Sequence, residues 1–158
     1  PLASSAIYLV WQGRERSLGA RAASILAGSI MGPVAFSLAT AEGSPASVTL
    51  HAWATCVAFG LHYIATVPLV RSMIRGRKDP RWAVGSTLLH AAFTLGAAVA
   101  WWFGALAIWP VIMWAFLTVR AWVMPTISRR RARPLSPKLI GFSELGWSLL
   151  LIASLLVP

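Results

Sequence analysis

Apolar residues in this chain come in long blocks separated by short polar stretches, with little strict alternation. Blocks of that kind are the pattern of helices surrounded by hydrocarbon, each needing about 20 residues to cross a bilayer. Five blocks approach that length: residues 18–41, 48–70, 83–103, 105–124 and 139–157. A further block, residues 1–11 ("PLASSAIYLVW"), would rise about 15 Å as a helix, half of what a bilayer needs. It reads as the second half of a spanning helix whose first half lies upstream. No basic stretch precedes it, as a secretory signal would require. The pattern predicts an all-α fold, a single transmembrane helical bundle over 1–158 with five full spans and one partial span.

The polar gaps sort by charge. Arg14, Glu15, Arg16 and Arg21 follow the first block, and "EGSPAS" alone separates the second from the third. Arg71, Arg75, Arg77, Lys78 and Arg81, with Asp79, separate the third from the fourth. Gly104 is the one plausible turn between the fourth and fifth, and "SRRRARP" with Lys138 precedes the last. The bases thus gather at alternate ends of successive helices. Cytoplasmic loops carry the excess of Lys and Arg, so the basic gaps are expected inside, and Glu42 and Pro158 outside. Trp53, Trp101, Trp102 and Trp109 fall near the expected outer ends, and Trp11, Trp82 and Trp122 near the inner ones. Trp114 and Trp147 lie deeper and are expected to pack.

Composition narrows the class. The 158 residues are 58% hydrophobic and 11% charged, with a net charge of +10. Soluble domains carry about 25% charged residues, so neither a disordered tail nor a soluble nucleic-acid binder fits. Cys56 is the only cysteine, which excludes an internal disulfide, and three histidines with four acids exclude a carboxylate-rich metal cage from this chain alone. The chain has no Walker loop, GxGxxG, GxSxG, HExxH or CxxC pattern.

Polar groups inside the blocks are more telling, because they are costly in hydrocarbon and usually face the protein interior. Ser47, His51, Thr55, Ala58, His62 and Thr66 share one helical face, as do Ser86, His90, Thr94 and Ala97. His62 and His90 each lie nine residues from the basic loop, about 13 Å deep by helical rise. Arg120 is expected about 6 Å and Glu144 about 8 Å from the same face. His62, His90, Arg120 and Glu144 are therefore candidates to line a polar cavity. The histidines could instead be packing residues, or paired axial ligands of a b-type haem. Arg120 and Glu144 could be a structural ion pair. Arg71, Arg75, Arg77 and Arg81 are candidates to hold an anionic headgroup, beside their role in setting topology. "SRRRARP" reads as a topology anchor. Ser24, Gly28 and Gly32 form a small-residue stripe for close helix packing. Pro33, Pro68 and Pro110 are expected to bend their helices.

"LVRSMIRGRKDPRW", with Arg71, Arg75 and Arg77, then His90, and "RPLSPKLIGFSELGWSLL", with Pro137, Lys138, Ile140, Gly141 and Glu144, resemble the bacterial YwiC-like family of small multi-pass membrane proteins. Before residue 48 the match is in hydropathy alone. The resemblance implies a bacterial cytoplasmic-membrane protein with further helices at its N-terminus. The layout also looks like that of UbiA-type prenyltransferases, which hold a prenyl diphosphate through Mg²⁺ on Asp-rich motifs. Here the matching loop offers only Asp79. The expected function is an accessory or structural subunit of a membrane complex, binding a lipid, quinone or pigment. Its partners would be membrane lipids and other subunits, with no nucleic acid. A UbiA-like transferase and a haem b protein on His62 and His90 are the alternatives. Neither a cofactor nor a catalytic set can be named.

Overall fold

The structure is a computed structural model that describes residues 4, 7, 8, 11, 12, 18–39, 50–132 and 135–157. Among these are five helices and no strand: α1 (Leu18–Ala39), α2 (Leu50–Met73), α3 (Pro80–Trp102), α4 (Ile108–Arg130) and α5 (Pro137–Leu156). Four stretches are long and apolar enough to cross a membrane: Ala52–Met73, Pro80–Trp102, Ile108–Arg130 and Pro137–Leu156. In α1 the stretch described with its side chains, Ala22–Ala35, is apolar. The expected partial span over 1–11, the "EGSPAS" gap with Glu42, and Arg14, Glu15, Arg16, Arg133 and Pro158 fall wholly or largely outside the described residues, as does the His51 side chain.

The chain forms two compact units, residues 1–64 and 65–158, and the boundary falls within α2. In the first unit, α1 meets α2 through small side chains. A Cβ added at Gly60 would collide with Ser29, and one at Gly32 would lie 2.6 Å from the Cys56 sulfur. Nothing lies within 4 Å of a Cβ built at Gly28. The close approach therefore uses Ser29 and Gly32, with Gly28 of the expected stripe left off it. Pro33 is buried beside Gly32.

In the second unit, α4 packs against both α3 and α5. Local chemistry sets each helix end. Asp79 caps α3 by accepting the Arg81 backbone N–H at 2.9 Å, with Pro80 opening the helix. Ser136 caps α5 through the Leu139 N–H at 3.2 Å, ahead of Pro137. The α3–α4 turn is a Schellman motif: Gly104 N–H donates to Trp101 C=O at 2.9 Å and Ala105 N–H to Ala100 C=O at 2.8 Å. Gly104 takes φ 72°, a conformation open to a residue without Cβ.

The sequence pattern placed the end of the fifth block at Met124, ahead of Pro125, but α4 runs on to Arg130. Proline is tolerated inside apolar helices when neighbours settle the freed backbone groups. Here Pro125 is fully buried, and the final turn is held from outside by Arg77. At the same end Leu69, Met73, Ala121, Leu135 and Ile140 make one buried cluster joining α2, α4 and the segment entering α5.

Large apolar side chains cover the outward faces. Leu88 and Leu95 on α3, Phe116 and Val119 on α4, and Leu145 and Leu149 on α5 are all exposed. Trp101, Trp102 and Trp109 are exposed near helix ends and Trp122 is exposed farther along α4, while Trp114 is fully buried. A chain whose interior holds Ser, His and Arg while its surface holds Leu, Val and Phe matches an apolar surrounding rather than water.

Candidate functional site

The second unit buries a run of polar groups along the α3–α4 and α4–α5 contacts. On α3, Ser86 and His90 have no exposed surface, and Ala83 and Ala97 complete the buried stripe. This is the face expected from the period of Ser86, His90, Thr94 and Ala97. His90 Nδ1 lies 2.8 Å from the Ser86 carbonyl. A carbonyl only accepts, so Nδ1 carries the proton and Nε2 of the neutral ring is an acceptor. Among the described residues nothing bonds to that Nε2 or to the Ser86 hydroxyl. The ring packs 6.1 Å from Trp114, which Phe93 meets edge-on at 5.6 Å.

Arg120 on α4 is 5% exposed and forms an ion pair with Glu144 on α5, Nη2 to Oε1. Its guanidinium also lies 5.3 Å from the Trp147 ring, one turn beyond Glu144. The pair uses one Arg120 nitrogen and one carboxylate oxygen. Arg120 Nε and Nη1 and Glu144 Oε2 are buried with no partner among the described residues. Arg120 stands ten residues before the end of α4, about 15 Å by helical rise, and His90 ten residues after the start of α3. The longer α4 thus sets Arg120 farther from its helix end than the 6 Å expected from sequence.

An apolar groove of about 250 Å³ lies between α4 and α5, lined by Trp109, Ile112, Met113, Phe116, Ala153 and Val157. Phe116, at one end of it, is one helical turn from Arg120, about 6 Å along the axis.

His62 is also fully buried, in the first unit, where its ring lies 5.5 Å from Tyr63 and 6.5 Å from Phe59. Of the four expected cavity residues, three lie in the second unit, His90, Arg120 and Glu144, and of these Arg120 and Glu144 are in contact. Among the described residues no three His, Cys, Asp or Glu side chains gather as a metal site would need.

The expected headgroup arginines divide. Arg71 stacks over Trp82, 3.9 Å from the ring centroid. Arg81 is exposed beside the Asp79 cap. Arg77 donates through Nε to Ser128 C=O at 2.7 Å and through Nη2 to the carbonyls of Arg129 and Arg131. Those carbonyls end α4, so the guanidinium caps the negative end of the helix dipole. Arg75 and Arg77 line an open bowl of about 700 Å³ with Lys78, Arg129 and Arg131. Sequence reasoning missed Arg129 and Arg131 as site residues. No local signal marks them, because their approach to Arg75 and Lys78 depends on α4 ending beside the loop that follows α2.

No family model matches the chain, and neither the curated proteins nor the solved structures give a match.

Proposed function

We propose that this chain is a multi-pass integral membrane protein that binds the polar head of an amphiphilic ligand at His90, Arg120 and Glu144. It serves as an accessory subunit of a membrane complex. In this reading Leu18–Ala39 is the fifth full span. The basic loops face the cytoplasm, the C-terminus lies outside, and the membrane is the bacterial cytoplasmic one that a YwiC-like protein would occupy.

The observation that carries the ligand reading is a set of buried atoms with no partner among the described residues: Arg120 Nε and Nη1, Glu144 Oε2, His90 Nε2 and the Ser86 hydroxyl. Each buried polar group left unsatisfied costs about 1–3 kcal/mol. Donors on Arg120 with acceptors on His90 and Glu144 suit a head that both accepts and donates, such as a quinol or a lipid hydroxyl-carbonyl pair. The groove ending one turn from Arg120 supports a ligand with an apolar tail.

Carbonate extraction tests the membrane reading: release of the protein without detergent would overturn it. Organic extraction and mass spectrometry of gently purified protein test the ligand. An amphiphile retained by the wild type should be absent from an Arg120→Met/Glu144→Leu double variant. Replacing a buried pair by apolar residues of similar volume is often neutral for stability, so this variant should keep its fold. A wild type carrying no amphiphile, or a folded double variant that keeps it, sinks the proposal.

A further inference from the structure

The basic bowl is separate from the buried cluster and unused by it. It is formed where two chain segments far apart in sequence meet: the loop after α2, with Arg75, Arg77 and Lys78, and the end of α4, with Arg129 and Arg131. Ile74 and Ala132 supply its apolar lining. About 700 Å³ is within the ordinary range of ligand pockets.

The five bases do not play equal parts. Arg77 is spent on the carbonyls of Ser128, Arg129 and Arg131, and so locks the two segments together. Ser128 Oγ adds a second tie, to Met73 C=O at 3.3 Å. Arg75, Lys78, Arg129 and Arg131 stay exposed around that hub, and among the described residues none makes an ion pair. The nearby acid, Asp79, is committed to the α3 cap. Four like charges held about one locked arginine repel one another, and an anion relieves that repulsion. Arg offers a planar fork that matches phosphate oxygens two at a time.

We infer that this bowl is a binding site for a phosphate-bearing anion, with Arg75, Lys78, Arg129 and Arg131 as its contacts and Arg77 as the residue that positions them. It rests on the membrane reading above only in placing the bowl at a bilayer surface, where the anion is a phospholipid headgroup; a free diphosphate has the same chemistry. Each Lys or Arg near an anionic surface contributes about 1 kcal/mol, so each charge removed should weaken retention about 5-fold.

The test uses full-length protein in nanodiscs and in detergent. Native mass spectrometry reads retained phosphatidylglycerol against phosphatidylcholine, and calorimetry reads pyrophosphate binding to delipidated protein. The variants are Arg75→Gln/Lys78→Gln and Arg129→Gln/Arg131→Gln, with Arg81→Gln as a base outside the bowl. We expect each double variant to lose about 25-fold in retained phosphatidylglycerol, and Arg81→Gln to stay near wild type. Phosphatidylglycerol retention without pyrophosphate binding identifies a lipid site, and pyrophosphate binding that displaces lipid identifies a free-anion site. Both uphold the bowl. If the double variants match wild type in both arms, or if Arg81→Gln loses as much as they do, the inference is wrong. Either failure would leave amphiphile retention at Arg120 and Glu144 intact, so the two readings can fail separately.

Discussion

Thr94 of α3 and Thr118 of α4 meet hydroxyl to hydroxyl at 2.8 Å across the helix interface. Each hydroxyl also lies within bonding distance of its own helix, Thr94 at 2.9 Å from His90 C=O and Thr118 at 3.0 Å from Trp114 C=O. Two protons are shared among these three contacts. One hydroxyl therefore bonds back to its helix and accepts, while the other donates across. The pair clamps α3 to α4 one turn beyond His90 and Trp114, the two rings that wall the buried cluster.

Thr94→Val and Thr118→Val should each destabilise the folded protein, and the double variant should cost less than the sum. Interhelical hydrogen bonds in membranes average about 0.6 kcal/mol, so a coupling of about 0.5–1.5 kcal/mol is expected. A double-mutant cycle on unfolding in detergent measures it. Strict additivity would show that the hydroxyl pair carries no net energy.

Gly60→Ala should destabilise the α1–α2 contact by about 1–3 kcal/mol, because the added methyl meets Ser29 with little room to move. Gly28→Ala should be neutral, or stabilising by up to about 1 kcal/mol through helix propensity alone. Thermal unfolding of the two variants side by side is the check. Equal melting temperatures would show that this contact does not set the stability of residues 1–64.

Much of this contrast between helix faces was legible in the sequence, and the exceptions have physical causes. A period of three to four residues reports which face of a helix is polar, so Ser86, His90 and Ala97 could be assigned to the interior of α3 from their spacing. It does not report which of two small residues one position apart meets the neighbour. Gly28 therefore looked as good as Gly32, and Ser29 was overlooked. The end of α4 was misjudged because Pro125 is a local stop signal, whereas the compensating Arg77 lies 51 residues before the Ser128 carbonyl that it holds. The same long-range contact hid Arg129 and Arg131, which in sequence are indistinguishable from a topology-setting run.

Arg77→Ala should loosen the last turn of α4. Hydrogen bonds to a charged group contribute about 1.5–3 kcal/mol, and a cation at a helix C-terminus about 0.3–1 kcal/mol more. Hydrogen exchange should therefore speed up in the final turn of α4, with little change near His90. Arg77→Lys should restore only part of the protection, since an ammonium cannot reproduce the fork that spans Nε and Nη2. Unchanged exchange in Arg77→Ala would show that the turn holds itself.

The Arg120–Glu144 pair also constrains how the chain can be made. Taken alone, α4 would bring a guanidinium about 15 Å from its end into hydrocarbon, at about 2.5–3.5 kcal/mol on translocon scales. Alone, α5 would bring an uncompensated carboxylate. Joined by the short segment from Arg131 to Ser136, the two helices can enter as a hairpin in which each charge neutralises the other. Release of α4 from the insertion machinery should then wait for α5 to emerge from the ribosome. A chain truncated before Glu144 would stall with its last helix at the interface.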